Sequence, residues 1–168
     1  MERIGLNEVE NFITSRKKLR KKLQGDLRSL KIAREADIEC CCYYHLRKFL
    51  KRDPQWKVFA RRHARRTGRY IDILIFHGAK PKIAIELKWS GKHIDMKDRK
   101  SLGASLKKLG VKRAYFLTTL AGTDPVYQCM VKKCGEKYRL MEIPVKEKMP
   151  EEKLTRWKSE REKLRKFL

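Results

Sequence analysis

Two apolar runs, Arg69–Phe76 and Lys82–Trp89, are separated only by His77-Gly78-Ala79-Lys80-Pro81, and that arrangement predicts a β-hairpin. The runs are rich in residues that suit strands, while Gly and Pro between them supply turn chemistry. Side chains alternate faces along a strand, so Glu86 and Lys88 share one. If Phe76 pairs with Lys82, the register sets Asp72 directly across from Glu86. Cross-strand neighbours lie about 5 Å apart at Cβ, and like charges there are destabilising. Two carboxylates side by side amid Ile, Leu and Phe do not serve stability. A divalent cation between them removes the objection, because hard cations take carboxylate oxygens. Lys88 is then placed to steady a metal-bound water or a developing negative charge.

Around this hairpin the chain reads as alternating helices and strands. Residues 7–30 predict a basic helix with a narrow stripe of Leu19, Leu23, Leu27 and Leu30 beside Arg16-Lys17-Lys18-Leu19-Arg20-Lys21-Lys22. Gly25 interrupts that pattern. A second helix is expected over about 31–50, with Ile32, Ala36, Glu39, Tyr43, Leu46 and Leu50 on one face. Glu39 thus falls within a core-facing stripe, where a carboxylate is costly unless paired, protonated or on a metal. Glu35, one turn earlier on a neighbouring face, is the alternative.

A strand over Trp56–His63 follows, then a turn at Thr67-Gly68 into the Asp72 strand. Past the hairpin, a helix capped by Asp95 or Asp98 ends near Leu109 and Gly110. Ala114–Leu120 reads as a strand. Asp124-Pro125 looks like a helix start, with Gly135 as the stop, which places Cys129 and Cys134 on a helix face. Tyr138–Ile143 is a last short strand. Residues 144–150 form a linker, and 151–168 a helix with Leu154, Trp157, Leu164 and Leu168 near heptad spacing. The expected organisation is a basic N-terminal extension (1–30), a central α/β domain (31–143), and a linker with an amphipathic C-terminal helix (144–168).

Charge narrows the partners. The chain carries 44 Lys and Arg against 20 Asp and Glu, a net charge of +24. Such an excess calls for a polyanion, because phosphate neutralisation releases counterions. Nucleic acid is the leading reading; an anionic membrane surface and the ribosome are rivals. No stretch is long or apolar enough to span a bilayer, and the N-terminal residues lack the apolar core of a signal peptide. The expected location is therefore intracellular: cytoplasmic, nucleoid-associated, or within a virus-infected host. The five cysteines, three of them adjacent, do not form a disulfide framework and read as free thiols.

In the order helix, three strands, helix, strand, and in Asp72 followed by Glu86-Leu87-Lys88, the chain resembles the PD-(D/E)xK nuclease superfamily, with its restriction-endonuclease-like fold. The resemblance covers roughly residues 31–120. In size and simplicity it is most similar to the archaeal Holliday-junction resolvases. It implies an α/β fold: a mixed central sheet flanked by helices, with an αβββαβ core and basic helical extensions at both ends. Two departures stand out. Ile71 precedes Asp72 where the family's namesake has proline, and no Gln-centred motif follows Lys88.

The resemblance further implies a Mg²⁺- or Mn²⁺-dependent endonuclease acting on duplex or branched DNA in repair, recombination or mobile-element biology, with RNA not excluded. Asp72, Glu86 and the Leu87 carbonyl would ligate the metal, and Glu39 would bind it directly, through water, or at a second ion. Lys88 would orient the nucleophile or stabilise the phosphorane charge. Arg61, Arg62, Arg65, Arg66 and Arg69 before the Asp72 strand, and Lys92, Lys97 and Lys100 after the Glu86 strand, would grip phosphates. The terminal leucine stripes offer a homodimer surface. Against this stand a solvated ion-pair ladder on an ordinary hairpin, a non-catalytic nucleic-acid-binding or architectural protein, and a basic membrane-surface protein.

Overall fold

The hairpin forms, and its turn is tighter than the sequence suggests. A computed structural model describes residues 3–15, 17–29, 35–64, 69–89, 108–111, 113–120, 128–134, 155 and 159. Strands β2 (Arg69–His77) and β3 (Lys80–Trp89) are antiparallel and join through Gly78-Ala79 alone. Gly78 has φ +59. A positive φ at the first central residue suits the right-handed strand twist, and glycine adopts it without a Cβ penalty. His77 pairs with Lys80 and Phe76 with Pro81, so the expected Phe76–Lys82 pair does not form. A bulge between Ile75 and Phe76 then shifts the register by one, giving Ile75 opposite Ile83 and Ile73 opposite Ile85. The paired register ends there, and one residue further on Asp72 Oδ2 accepts the Leu87 backbone N–H at 2.7 Å.

Five strands form one mixed sheet in the order β1-β2-β3-β4-β5. β1 (Trp56–Ala64) lies antiparallel to β2, and β4 (Arg113–Leu120) runs parallel to β3. β5 (Gln128–Cys134) closes the far edge, antiparallel to β4. This corrects the helix expected from Pro125 to Cys134. Asp124-Pro125 and Gly135 bracket the segment as helix signals would. The open backbone edge of β4 offers ladder hydrogen bonds, and tertiary pairing outweighs local signals in short apolar segments.

Three helices precede the sheet. α1 (Leu6–Thr14), α2 (Leu19–Arg28) and α3 (Glu35–Leu50) replace the two long helices expected over 7–50. The break falls at Ser15. Its backbone is extended, with ψ 135, and its hydroxyl accepts from the Lys17 N–H at 3.3 Å. Serine competes for backbone groups in this way and so favours turns over helix interiors. Gly25, the residue that weakened the sequence pattern, lies inside α2.

The sheet buries both faces. On one, Ile73, Ile75, Ile83, Ile85, Leu87, Tyr115 and Leu117 pack against Val9, Phe12, Ile13, Leu19, Leu23, Ile38, Cys42 and Leu46 from the helices. Each fully buried aliphatic side chain contributes about 1.5–3 kcal/mol. The boundary expected at residue 30 is thus not a boundary of the core, because α1 and α2 supply part of it. On the other face, Ile71, Leu74, Ala84, Ala114 and Phe116 pack with Val111 and Leu109. Lys108 and Leu109 are helical, at the end of the helix expected over 95–109. The rest of that helix and the strand expected over 138–143 lie outside the described residues. So does the C-terminal helix, apart from Thr155 and Ser159, which are helical.

Polar ties lock the helices to the sheet. Glu10 on α1 accepts from Arg113 Nε at 2.9 Å and from the Tyr115 hydroxyl at 2.6 Å. Burial, then the Glu10 hydrogen bond, pushes the Tyr115 hydroxyl's pKa well above the ordinary phenol value. Asp53 accepts from the Ile4 N–H at 2.9 Å and the Gln55 N–H at 3.0 Å, and the Trp56 indole donates to the Ile4 carbonyl at 2.8 Å. No described helix is long and apolar enough to cross a membrane.

Candidate functional site

The site is where α3, β1, β2 and β3 bring carboxylates to one end of the sheet. Ala84 packs on the sheet's second face and Ile83, Ile85 and Leu87 on the first, so alternation gives Glu86 the second. Asp72 lies at an irregularity. The β1–β2 ladder pairs Ala60 with Ile73 and Arg62 with Ile71, passing over Arg61 and Asp72, which stand opposite each other. Ile71 and Ile73 are two residues apart, yet they belong to different core clusters. The strand therefore rolls at Asp72. Arg61 shows the same distortion, with φ 44, a value that non-glycine residues seldom adopt.

Asp72 is anchored from the neighbouring strand. Its Oδ2 accepts the Leu87 backbone N–H at 2.7 Å. A charge-assisted bond of this length fixes the carboxylate's direction. Both Asp72 and Glu86 are half-buried, between apolar neighbours.

Glu39 arrives from α3 and is buried, as its place in the core stripe implied. Its Oε2 accepts from Arg61 Nε at 2.8 Å. The Arg61 side chain is 68% exposed, while that of Glu39 is 10% exposed. The buried carboxylate thus meets its counter-charge at the surface. The Glu39 hydrogen bond and charge, with a further pull from Asp72, raise the Arg61 pKa above its ordinary value. Arg61 was expected to grip phosphate. Here its guanidinium is the positive charge that Glu39 and Asp72 share. Sequence spacing gave no sign of this pairing, since it joins residues 22 positions apart through a distorted strand.

Among the other expected residues, Arg62, Arg69 and Lys88 are described by their backbones, all within strands; Lys88 pairs with Thr118 of β4. Arg65, Arg66, Lys92, Lys97 and Lys100 lie outside the described residues. Glu35 begins α3. Among the described residues no group of three or more His, Cys, Asp or Glu side chains is assembled to hold one metal ion. Glu39 is turned to Arg61.

A second polar cluster sits between α2 and α3. His45 Nε2 lies 2.6 Å from Asp26 Oδ2, both largely buried. Cys41 lies beside them, its pKa pushed up to about 12 by burial and by Asp26. A thiol so held is protonated and inert. Cys40, Cys41 and Cys42 form no disulfide, as the sequence implied.

No family model and no curated protein matches the chain. Among solved structures, one described as "Crystal structure of SSO0001" is similar to it at 16% identity, covering 93% of this chain and 74% of its own, with a TM-score of 0.30. A likeness at that level carries no argument about fold or function.

Proposed function

We propose that the chain is a metal-dependent nuclease of the PD-(D/E)xK kind, with a restriction-endonuclease-like core, that hydrolyses phosphodiester bonds in DNA. The observation that supports this reading is the anchoring of the Asp72 carboxylate on β2 by the Leu87 N–H, the residue next to Glu86 on β3. The donor chemistry fits a hard divalent cation. Asp72 and Glu86 offer carboxylate oxygens, the Leu87 carbonyl a further oxygen, and Glu39 another once it leaves Arg61. Bound there, Mg²⁺ or Mn²⁺ supplies Lewis acidity to the scissile phosphate and acidifies the attacking water.

The chain's own residues do the rest. The Leu87 N–H holds Asp72 in one orientation. Lys88, two residues past Glu86 on the same strand, supplies an ammonium to stabilise the phosphorane charge. Arg61 keeps the carboxylates compatible before substrate arrives and is free to follow a phosphate when Glu39 turns away. The net charge of +24 draws the DNA in.

The test is a panel of labelled linear duplex, four-way junction and single-stranded DNA, incubated with Mg²⁺, Mn²⁺ or EDTA. Asp72→Ala, Glu86→Ala and Lys88→Ala are expected to bind but not cut. Cutting retained by all three variants sinks the proposal. The engagement of Glu39 by Arg61 favours one alternative, a non-catalytic binding protein, which is the conclusion if every substrate is bound and none is cut in either metal.

A further inference from the structure

Strand β1 is an edge of the sheet, with no strand on its outer side among the described residues. Its ladder with β2 runs without a slip from Trp56 to Ala60 and is interrupted at Arg61. The Gln55 carbonyl accepts the Gly78 N–H at 2.8 Å, so the polar groups of that residue face β2. Successive residues of an antiparallel strand turn their N–H and C=O to opposite edges. Lys57 and Phe59 therefore bond towards β2, and Trp56, Val58 and Ala60 towards the outside. The Trp56 N–H is taken by the Asp53 carbonyl at 3.1 Å. Val58 and Ala60 remain, with two donors and two acceptors on an open edge. Such a row is a template for a further strand.

Cations flank that edge above and below. Arg47 and Lys51 belong to α3, which packs on the first face of the sheet. Lys57 lies on the second face, across the ladder from Phe76, whose ring meets that of Phe59 at 5.4 Å. All three cations are exposed and line an opening of about 350 Å³ between α3 and β1, which no carboxylate lines among the described residues. A strand laid along β1 sends alternate side chains to the two faces. Acidic residues at neighbouring positions would thus reach Lys57 on one side and Arg47 and Lys51 on the other.

We propose that β1 accepts an acidic, extended segment of a partner protein as an added strand. Val58 and Ala60 make its backbone hydrogen bonds, and Arg47, Lys51 and Lys57 meet its carboxylates. Main-chain pairing at a sheet edge, with side chains supplying selectivity, is a general mode of peptide recognition. A second copy of this chain suits the edge poorly, because pairing two β1 strands brings the same cations together. A phosphodiester backbone suits it poorly too. It accepts hydrogen bonds but donates none, and leaves the Val58 and Ala60 carbonyls unmet. None of this depends on the chemistry of Asp72 and Glu86.

The experiment is fluorescence anisotropy in EDTA with a labelled peptide of two Thr-Glu-Glu-Val repeats, which places carboxylates on both faces of a strand. A control peptide carries proline for each Thr and Val, keeping the charge but not the strand geometry. The proline peptide is expected to bind at least tenfold more weakly. The combined Arg47→Ala, Lys51→Ala and Lys57→Ala variant, altered only at exposed positions, is expected to weaken the first peptide about tenfold. Removing as much charge from α2, with Lys17→Ala, Lys21→Ala and Lys22→Ala, is expected to change it less than about twofold. Hydrogen exchange gives a second readout on the unaltered protein: the peptide should slow the Val58 and Ala60 amides. No binding, equal affinity for the two peptides, equal losses in the two variants, or unslowed Val58 and Ala60 amides would overturn the proposal. So would an oligothymidylate of equal charge that loses as much affinity in the Arg47, Lys51 and Lys57 variant, which would make the edge a nucleic-acid surface.

Discussion

Arg61 donates to Glu39 at 2.8 Å from the strand position opposite Asp72, so one guanidinium serves two carboxylates brought in by different elements. Removing it leaves Glu39, Asp72 and Glu86 at one end of the sheet with less positive charge among them. Arg61→Ala is therefore expected to melt lower than wild type in EDTA and to gain more in melting temperature from millimolar Mg²⁺. Differential scanning fluorimetry with and without the ion checks this. An equal Mg²⁺ gain in both proteins would place Arg61 outside the site. Arg61→Gly makes the same side-chain deletion but relieves the positive φ, so it is expected to melt above Arg61→Ala.

Asp72 has a structural duty besides its proposed chemistry. Asp72→Ala leaves the Leu87 N–H without its acceptor in a half-buried setting, at a cost of about 1–3 kcal/mol. Asp72→Asn keeps an oxygen there and is expected to cost less. Urea unfolding separates the two. A loss of cleavage read from the Asn variant is the cleaner result, because its fold is the better preserved.

The hairpin was legible because its apolar strands and its Gly-containing turn agree. The offset that pairs Ile73 with Ile85 was legible for a less secure reason: the turn is one residue tighter at Pro81 than expected, and the bulge at Ile75 restores the offset. Nothing local in the sequence signals that bulge. β5 was misread because its helix-like brackets are local, whereas the β4 edge that recruits it is not. The Glu39–Arg61 pair was invisible for a similar reason. Burial of Glu39 followed from helical spacing, but its partner depends on a backbone distortion in β1. The break at Ser15 carried a signal, a serine ahead of a basic run, that the leucine stripe outweighed.

Acid should loosen the N-terminal strap. The Ile4 N–H, with the Gln55 N–H, holds the Asp53 carboxyl below its ordinary range. A carboxyl whose folded pKa is depressed contributes stability above its unfolded pKa of about 3.9, and loses it as the pH falls through the folded value. Asp53→Asn is expected to flatten the acid limb of stability below about pH 4, to lose the most stability at neutral pH, and to converge with wild type in acid. Chemical denaturation across pH checks this, and an unchanged acid limb would refute it.

The adjacent cysteines should differ sharply in reactivity. Cys40 is exposed, whereas Cys41 is half-buried with a pKa of about 12. At pH 8 a thiol of that pKa is ionised to about one part in ten thousand. Iodoacetamide followed by peptide mass analysis is expected to label Cys40 well before Cys41. Equal labelling would mean that the α2–α3 seam opens readily.

The hairpin turn offers a stability test remote from the site. Gly78 at φ +59 has room for a side chain, with Gln55 Oε1 at 3.8 Å from a Cβ, so only the backbone resists substitution. Gly78→Ala is expected to cost about 1–2 kcal/mol without altering nucleic-acid binding. A neutral result in urea would mean that the turn changes type at little cost.

The central claim is that Asp72 and Glu86 are paired for metal-assisted phosphodiester hydrolysis, and one comparison tests it most directly. Wild type and Glu86→Ala, both shown to be folded and to bind labelled DNA, are incubated with it in Mg²⁺ and in EDTA. The account predicts product from wild type in Mg²⁺ alone, and none from the variant. Product from Glu86→Ala at the wild-type rate, or from wild type in EDTA, would contradict it.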